Sequence, residues 1–216
     1  MPSLTMTTPV PEPRPDPVAP TRIDSFFFAT STESLACRLL GTYLVHDSPQ
    51  GVTIGRIVET EAYLSRNDPA CHAARGRTER NAPMFGPPGH GYVYLIYGMY
   101  FCFNVVSARE GVGEAVLIRA LEPVEGIELM RERRRTKTLS ALCAGPGRLT
   151  QAMGITLEHN NADLTGGALH ILPRHALGRA VAKIEMVASQ RIGISCAQDL
   201  LLRFCDAASP FLSRRP

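Results

Sequence analysis

The chain has 216 residues, 44% of them hydrophobic and 17 of them proline, with a formal charge of +3 and a pI near 8.6. That length suits one domain with a substantial core, and so weak a net charge excludes a surface basic all over, so any nucleic-acid footprint must come from local arginine clusters. Six cysteines without paired close spacing, and no signal peptide or long apolar span, exclude a disulfide-stapled secreted scaffold and predict a reduced, cytoplasmic chain without a membrane partner; a monomer is expected.

Residues 1–21 carry seven prolines among small and polar residues, a composition that cannot bury a core, and are expected to be a disordered tail. Thr30 and Glu33 form a capping-box pattern ahead of Leu35, Ala36, Leu39 and Leu40, which predicts a short amphipathic helix from about Thr32 to Gly41. A strand over 42–45 and a turn over 47–51 follow. Residues 52–63 alternate and are rich in β-branched side chains, as a strand requires, so Glu59, Glu61 and Tyr63 share one face. From 64 to 91 periodicity is lost among Gly, Pro, Asn, Asp and Arg, and an irregular segment of that length inside a domain usually has a functional reason. It holds Arg75, Arg77 and Arg80, planar donors suited to phosphate.

Residues 92–106 form two aromatic-rich runs broken at Tyr97-Gly98-Met99, the signature of a hairpin whose turn exposes apolar side chains. Residues 114–121 predict a strand with Ala115, Leu117, Arg119 and Leu121 on one face, and an arginine in that series needs a partner. Helical spacing over 123–134 runs through Ile127, Met130 and Arg134. The basic run Arg131 and Arg133 to Arg135 reads equally well as a phosphate contact or a solvated helix face. Gly145-Pro146-Gly147 opens another short helix whose N-terminus could seat a phosphate. Strands over 169–172 and 182–187 complete a mixed α+β domain built on an antiparallel sheet. Zinc needs paired ligand spacing, and neither Cys71-His72 nor His170 with His175 has that form, so no metal and no cofactor are expected.

Taken singly, the central residues are ordinary. A strand Glu beside aromatics is more often a structural ion pair, here to Arg56 or Arg119, than a general base, and His72 or Tyr94 alone is more often a packed residue. Together, Glu61, Tyr63, His72, Tyr94 and Arg119 supply a base, flat surfaces for a ring and a cation, which is what extracting and hydrolysing a nucleobase requires.

The runs VETEAY, DPACH, RNAPMF, YVYLIYGMYFCFNV, VLIRALEP and LCAGPGRL resemble the alkyladenine (3-methyladenine) DNA glycosylase family of the mammalian type, over roughly residues 26–213. The resemblance implies a single α+β domain over 22–216, with a curved, largely antiparallel sheet flanked by helices and a protruding β-hairpin. It implies an enzyme of base excision repair that removes damaged purines from double-stranded DNA, nucleoid-associated in a bacterium; because the only two lysines, Lys137 and Lys183, lie outside the Glu61, His72 and Tyr94 constellation, the enzyme is expected to be monofunctional. The resemblance makes Glu61, not Glu59, the general base, and Arg119 the residue that helps place the water. Tyr63, Ala70, His72, Tyr94 and Asn104 become the base pocket, and Tyr97 and Met99 the side chains that enter the duplex. The family's aromatic RFY segment reads Arg203-Phe204-Cys205 here, and the chain has no Trp.

Two rival readings stay open. Glu59 and Glu61 on one face could be the paired carboxylates of an O-glycosidase. The basic loop and hairpin could instead be a damage-recognition DNA-binding module that excises nothing.

Overall fold

The computed structural model describes residues 22–178 and 183–216. The proline-rich tail over 1–21 lies outside them, as does Ala182. Eight strands form one sheet: β1 (Tyr43–Ser48), β2 (Gly51–Tyr63), β3 (Gly91–Ile96), β4 (Tyr100–Val106), β5 (Ala115–Glu125), β6 (Leu169–Leu172), β7 (Met186–Ser189) and β8 (Arg203–Asp206). The main order is β3-β4-β5-β2-β1-β6, β8 joins β2 and β7, and all pairings are antiparallel. Helices α1 (Ser25–Phe28), α2 (Thr32–Leu39), α3 (Ile127–Arg134) and α4 (Pro146–Met153) complete the α+β domain. No described helix is long and apolar enough to cross a membrane.

The long strand β2 organises the sheet. Its first half pairs with β1 through a two-residue turn, Ser48 facing Gly51, while its second half pairs with β8 at Glu59, Thr60 and Glu61. Along the other edge it pairs with β5 almost throughout. Here the register shifts three times, once between Ile54 and Gly55 and twice farther along, where Ile57 faces Leu121, Glu59 faces Ala120 and Thr60 faces Ile118, so Val58 and Arg119 have no opposite residue. Such bulges change which side of the sheet the following side chains occupy. Ile57 therefore joins the main core, but after the slip it is Thr60 and Ala62 that face that core, leaving Glu59, Glu61 and Tyr63 on the opposite side. On β5 the same slip corrects the expected single face: Leu121 packs in the core with Ile118 and Val116, while Leu117 and Arg119 face a cavity.

Helix α2 covers the core side by burying Leu35, Ala36 and Leu39, each leucine contributing about 1.5–3 kcal/mol. Its N-cap is Ser31, whose hydroxyl accepts from Ser34 N, and not the expected Thr30. The helix expected over 123–134 begins only at Ile127, because Pro123 and its neighbours extend β5 to Glu125 before Gly126 turns the chain at φ 70°. The strand expected over 182–187 runs instead over Met186–Ser189. The irregular stretch over 64–91 contains two short 3₁₀ turns, His72–Arg75 and Ala82–Phe85. These turns pack on Gly113, where an added Cβ would stand 2.6 Å from both Ala73 and Phe85 side-chain carbons.

Gly113→Ala is therefore expected to lower stability by about 1–3 kcal/mol through overpacking. A thermal melt checks this; an unchanged melting temperature would mean that the turn carrying His72 is not braced by this contact.

Candidate active site

A cavity of about 560 Å³ opens on the sheet face that carries Tyr63 and Arg119, within the usual range for small-molecule sites of roughly 300–1,000 Å³. Its walls come from five places. Tyr63 ends β2, Ala70 and His72 come from the irregular segment, Tyr94 and Asn104 from β3 and β4, Leu117 and Arg119 from β5, and residues 192–196 from the loop after β7.

Glu61 lies directly behind this wall and is itself fully buried. One carboxylate oxygen, Oε2, accepts from Tyr63 Oη at 2.9 Å and stands 3.3 Å from Arg119 Nη1, while Oε1 accepts from Ile192 N at 2.7 Å. All three partners line the cavity, so the carboxylate meets it through a ring of donors. Burial pushes the Glu61 pKa above the ordinary carboxylate value, and the Arg119 charge and the Ile192 and Tyr63 hydrogen bonds offset only part of that. The result is a base stronger than an exposed glutamate.

Glu59 is equally buried but differently employed. Its Oε1 accepts from Arg119 Nε at 3.1 Å, Arg203 Nε at 2.7 Å and Ser213 Oγ at 2.7 Å, and its Oε2 accepts from Ser213 N at 2.6 Å. With both oxygens occupied it fixes Arg119 and the C-terminal segment. The alternative partner weighed for these carboxylates, Arg56, instead pairs with Glu122 and Asp206.

Aromatic surfaces face this donor ring. The His72 and Tyr94 rings meet at 4.6 Å and 64°, and Tyr92 lies 5.2 Å from Tyr94. Burial pushes the Tyr92 phenol up to about 12, so it stays a donor near neutrality and can give its proton to His72 Nδ1 at 3.0 Å. Burial and the nearby Arg80 charge lower the His72 pKa, which keeps its imidazole neutral at pH 7. Asn104 donates through Nδ2 to Tyr92 O across the β3–β4 pair, which holds its side chain at the cavity wall. Tyr63 is held from behind, with the Arg191 guanidinium 4.6 Å from its ring centroid.

The β3–β4 hairpin stands at the rim. Tyr97 and Gly98 both have positive φ, 50° and 69°, as a tight turn matched to the strand twist requires. The turn leaves Tyr97 87% and Met99 67% exposed, although a bulky residue at positive φ is unusual. Tyr97 also lines the cavity, whereas Met99 does not. Of the three candidate phosphate arginines, Arg75 and Arg80 line the cavity. Arg77 does not, and lies over Phe85 at 5.9 Å.

Sequence reasoning missed Ile192, Arg191, Asp68, Arg203 and Ser213, which all touch this arrangement. The local signals for them are Asp68, inside the run DPACH, and Arg203, inside the segment that matches the family's RFY run. Among the described residues no three His, Cys, Asp or Glu side chains converge as metal ligands.

The profile of the methylpurine-DNA glycosylase family matches residues 26–210. A protein of Carboxydothermus hydrogenoformans, provisionally named 3-methyladenine DNA glycosylase, is 48% identical over 88% of this chain and 97% of its own length. Relatives of the same name from Methanoculleus marisnigri and Chlorobaculum tepidum are 50% and 48% identical, over 88% and 89% of this chain and 97% and 91% of theirs. A buried carboxylate behind an aromatic cavity and matches of this extent agree: the chain belongs to the methylpurine-DNA glycosylase family, DNA repair hydrolases that act on N-glycosyl bonds.

Proposed function

We propose that this protein turns damaged purines (3-methyladenine, 7-methylguanine, hypoxanthine and ethenoadenine) out of duplex DNA into the cavity, and that a water activated by Glu61 then hydrolyses the N-glycosidic bond. The observation that carries this reading is the fully buried Glu61 carboxylate, its pKa raised, held between Arg119 and the Ile192 amide behind a wall of aromatic rings. In this reading Tyr97 wedges into the duplex and occupies the space the lesion leaves, with Met99 beside it, and Arg75, Arg77 and Arg80 take phosphates. Extrusion costs a few kcal/mol and least for damaged or mispaired bases, so the step itself selects. The purine lies between Tyr63 and the His72/Tyr94 surface, over Ala70. Asn104 meets its edge and disfavours the amino group of guanine. A cationic alkylated purine is attracted to these aromatic faces, and the neutral His72 adds no repulsion.

Glu61 takes one proton from the water as its oxygen bonds to the sugar C1′, and the C1′–N bond breaks with its electron pair passing to the base. Arg119 orients the carboxylate and helps place that water. A cationic purine leaves neutral. A neutral purine such as hypoxanthine leaves with a proton drawn from solvent water, which keeps the step in balance. The protein acts as a monomer and stops at base removal. Its two lysines, Lys137 and Lys183, are both exposed and neither lines the cavity, so among the described residues no lysine amine is placed to form a Schiff base with the sugar.

Three tests follow from these roles. Glu61→Gln is expected to keep lesion binding and lower single-turnover excision at least about 100-fold, whereas Glu59→Gln lowers the melting temperature more and excision less. In the wild type the rate should fall as pH drops through the Glu61 pKa, with a midpoint above the ordinary carboxylate value. Equal loss of rate in two folded variants would undo the assignment.

Tyr97→Gly should weaken duplex binding by about 1–3 kcal/mol, the scale of a base-stacking contact. Because glycine relieves the positive φ, its melting temperature should be unchanged or higher. A binding titration at fixed salt beside a melt tests this, and a destabilised variant would make Tyr97 a packing residue.

Borohydride trapping on abasic and hypoxanthine-containing duplexes should yield no covalent adduct. An adduct that disappears with Lys183→Ala would overturn the monofunctional reading.

A further inference from the structure

Asp68 and Arg191 form an ion pair in which neither side chain has any exposed surface. It is bidentate, with Nη1 donating to Oδ2 and Nη2 to Oδ1, both at 2.6 Å. Neither head group makes a hydrogen bond or salt bridge to Glu61, although Arg191 is near enough to feel its charge. A buried pair of this kind is also a poor source of stability, because desolvating two ions offsets most of their attraction.

What the pair does is visible in its other contacts. Asp68 accepts from Leu64 N at 3.0 Å and Ala70 N at 3.2 Å, and its carbonyl accepts from Cys71 N at 3.0 Å, so it folds the segment that carries Ala70 and His72. Arg191 Nη1 also donates to Ala62 O at 3.0 Å, and its guanidinium covers the back of the Tyr63 ring at 4.6 Å. The next residue, Ile192, gives its amide to Glu61 at 2.7 Å. One planar group thus ties together β2, the irregular segment and the loop after β7. These are the sources of Tyr63, Ala70 and the Ile192 amide.

We propose that Asp68 and Arg191 are positioning residues for base excision, setting the Tyr63 wall and holding the Ile192 amide on Glu61 without touching substrate. The proposal rests on the reading of Glu61 as general base. It makes a distinctive demand on pH dependence. Glu61 is faced by Arg119 from β5, by Cys102 from β4, by Tyr63 and Glu59 from its own strand, and by the Ile192 amide and Arg191 from the loop. Arg203, opposite it on β8, is committed to Glu59. Of these, the Ile192 amide and the Tyr63 hydroxyl are the donors that depend on Arg191, and loosening either acts in the same direction. It removes a hydrogen bond that favours the ionised carboxylate, so the acid limb of the rate profile moves to higher pH.

The test compares three variants with wild type in single-turnover excision from a hypoxanthine-containing duplex across pH, each checked by a thermal melt. The double variant Asp68→Leu/Arg191→Met removes both charges together and so leaves no buried ion unpaired. Arg191→Lys keeps the charge but lacks the planar fork that bridges Asp68, Ala62 O and the Tyr63 ring. Both are expected to melt cooperatively, to excise about 10- to 100-fold more slowly, the scale of misplaced reacting groups, and to show the acid limb shifted upward. If the double variant does not fold, Arg191→Lys decides by the same two readings. A folded variant with the wild-type rate, or with a slower rate and an unmoved limb, overturns the positioning role. Glu61→Gln is the third variant. If it excises at the wild-type rate, the general-base reading fails; if it alone is slow, only the positioning proposal fails.

Discussion

Two glutamates buried side by side on one strand are tolerable only if their charge is returned locally, and this requirement governs the site. Removing an ion from water costs several kcal/mol even after relaxation, so an unmatched carboxylate at Glu59 or Glu61 would protonate or unfold its surroundings. Arg119 from β5 and Arg203 from β8 supply the matching charges, Arg119 touching both carboxylates and Arg203 only Glu59. The division is uneven, and that matters. Glu59 takes the better-formed contacts, together with both donors of Ser213, and acts as a fixed counter-ion. Glu61 is left with a 3.3 Å approach from Arg119 and two hydrogen bonds, too little to cancel desolvation, so its pKa rises. A carboxylate left in that state suits the proposed role of general base, since a raised pKa means that it gains more on taking a proton than an exposed glutamate does.

The bulges on β2 and β5 make this arrangement possible. A regular strand would put Ile57, Glu59 and Glu61 on one side, mixing a core isoleucine with two charges. One unpaired residue on each strand, Val58 and Arg119, shifts the phase and then restores the original register at Thr60 and Ile118. The sheet therefore pays no lasting penalty in pairing for separating an apolar face from a charged one. The same slip frees Arg119 to reach both glutamates.

What the sequence made legible was local. The alternation of residues 59–63 put Glu59, Glu61 and Tyr63 on one face because three successive odd positions follow the bulge without interruption. The Tyr97-Gly98 turn was legible because a glycine between aromatic runs has few other uses. Arg119 was expected to need a partner, and it and Arg56 were the two arginines weighed as ion-pair partners of the strand glutamate. Beyond that, periodicity had nothing to say. Ile192 meets Glu61 across 131 residues and Ser213 meets Glu59 across 154, and a backbone amide leaves no trace in residue identity. The bulge escaped as well, so Leu121 was set on the Arg119 face when it packs in the core. The capping serine was missed because Thr30 and Ser31 are both competent caps, and only the backbone geometry distinguishes them.

The hairpin shows the opposite economy to the glutamates. Tyr97 occupies a left-handed backbone position that an L side chain adopts at a cost of about 1–2 kcal/mol, and its ring packs against little in return, being 87% exposed. Glycine or asparagine would make a more stable turn there. A tyrosine kept at such a place is not explained by folding, and it sits where its ring both lines the cavity rim and projects into solvent. The strain and the exposure are accounted for together if the ring has a partner outside the chain. The proposed insertion into duplex DNA would supply that partner: stacked bases offer flat apolar surface on both sides of a gap, and a ring placed there would recover stacking that a departing base gives up.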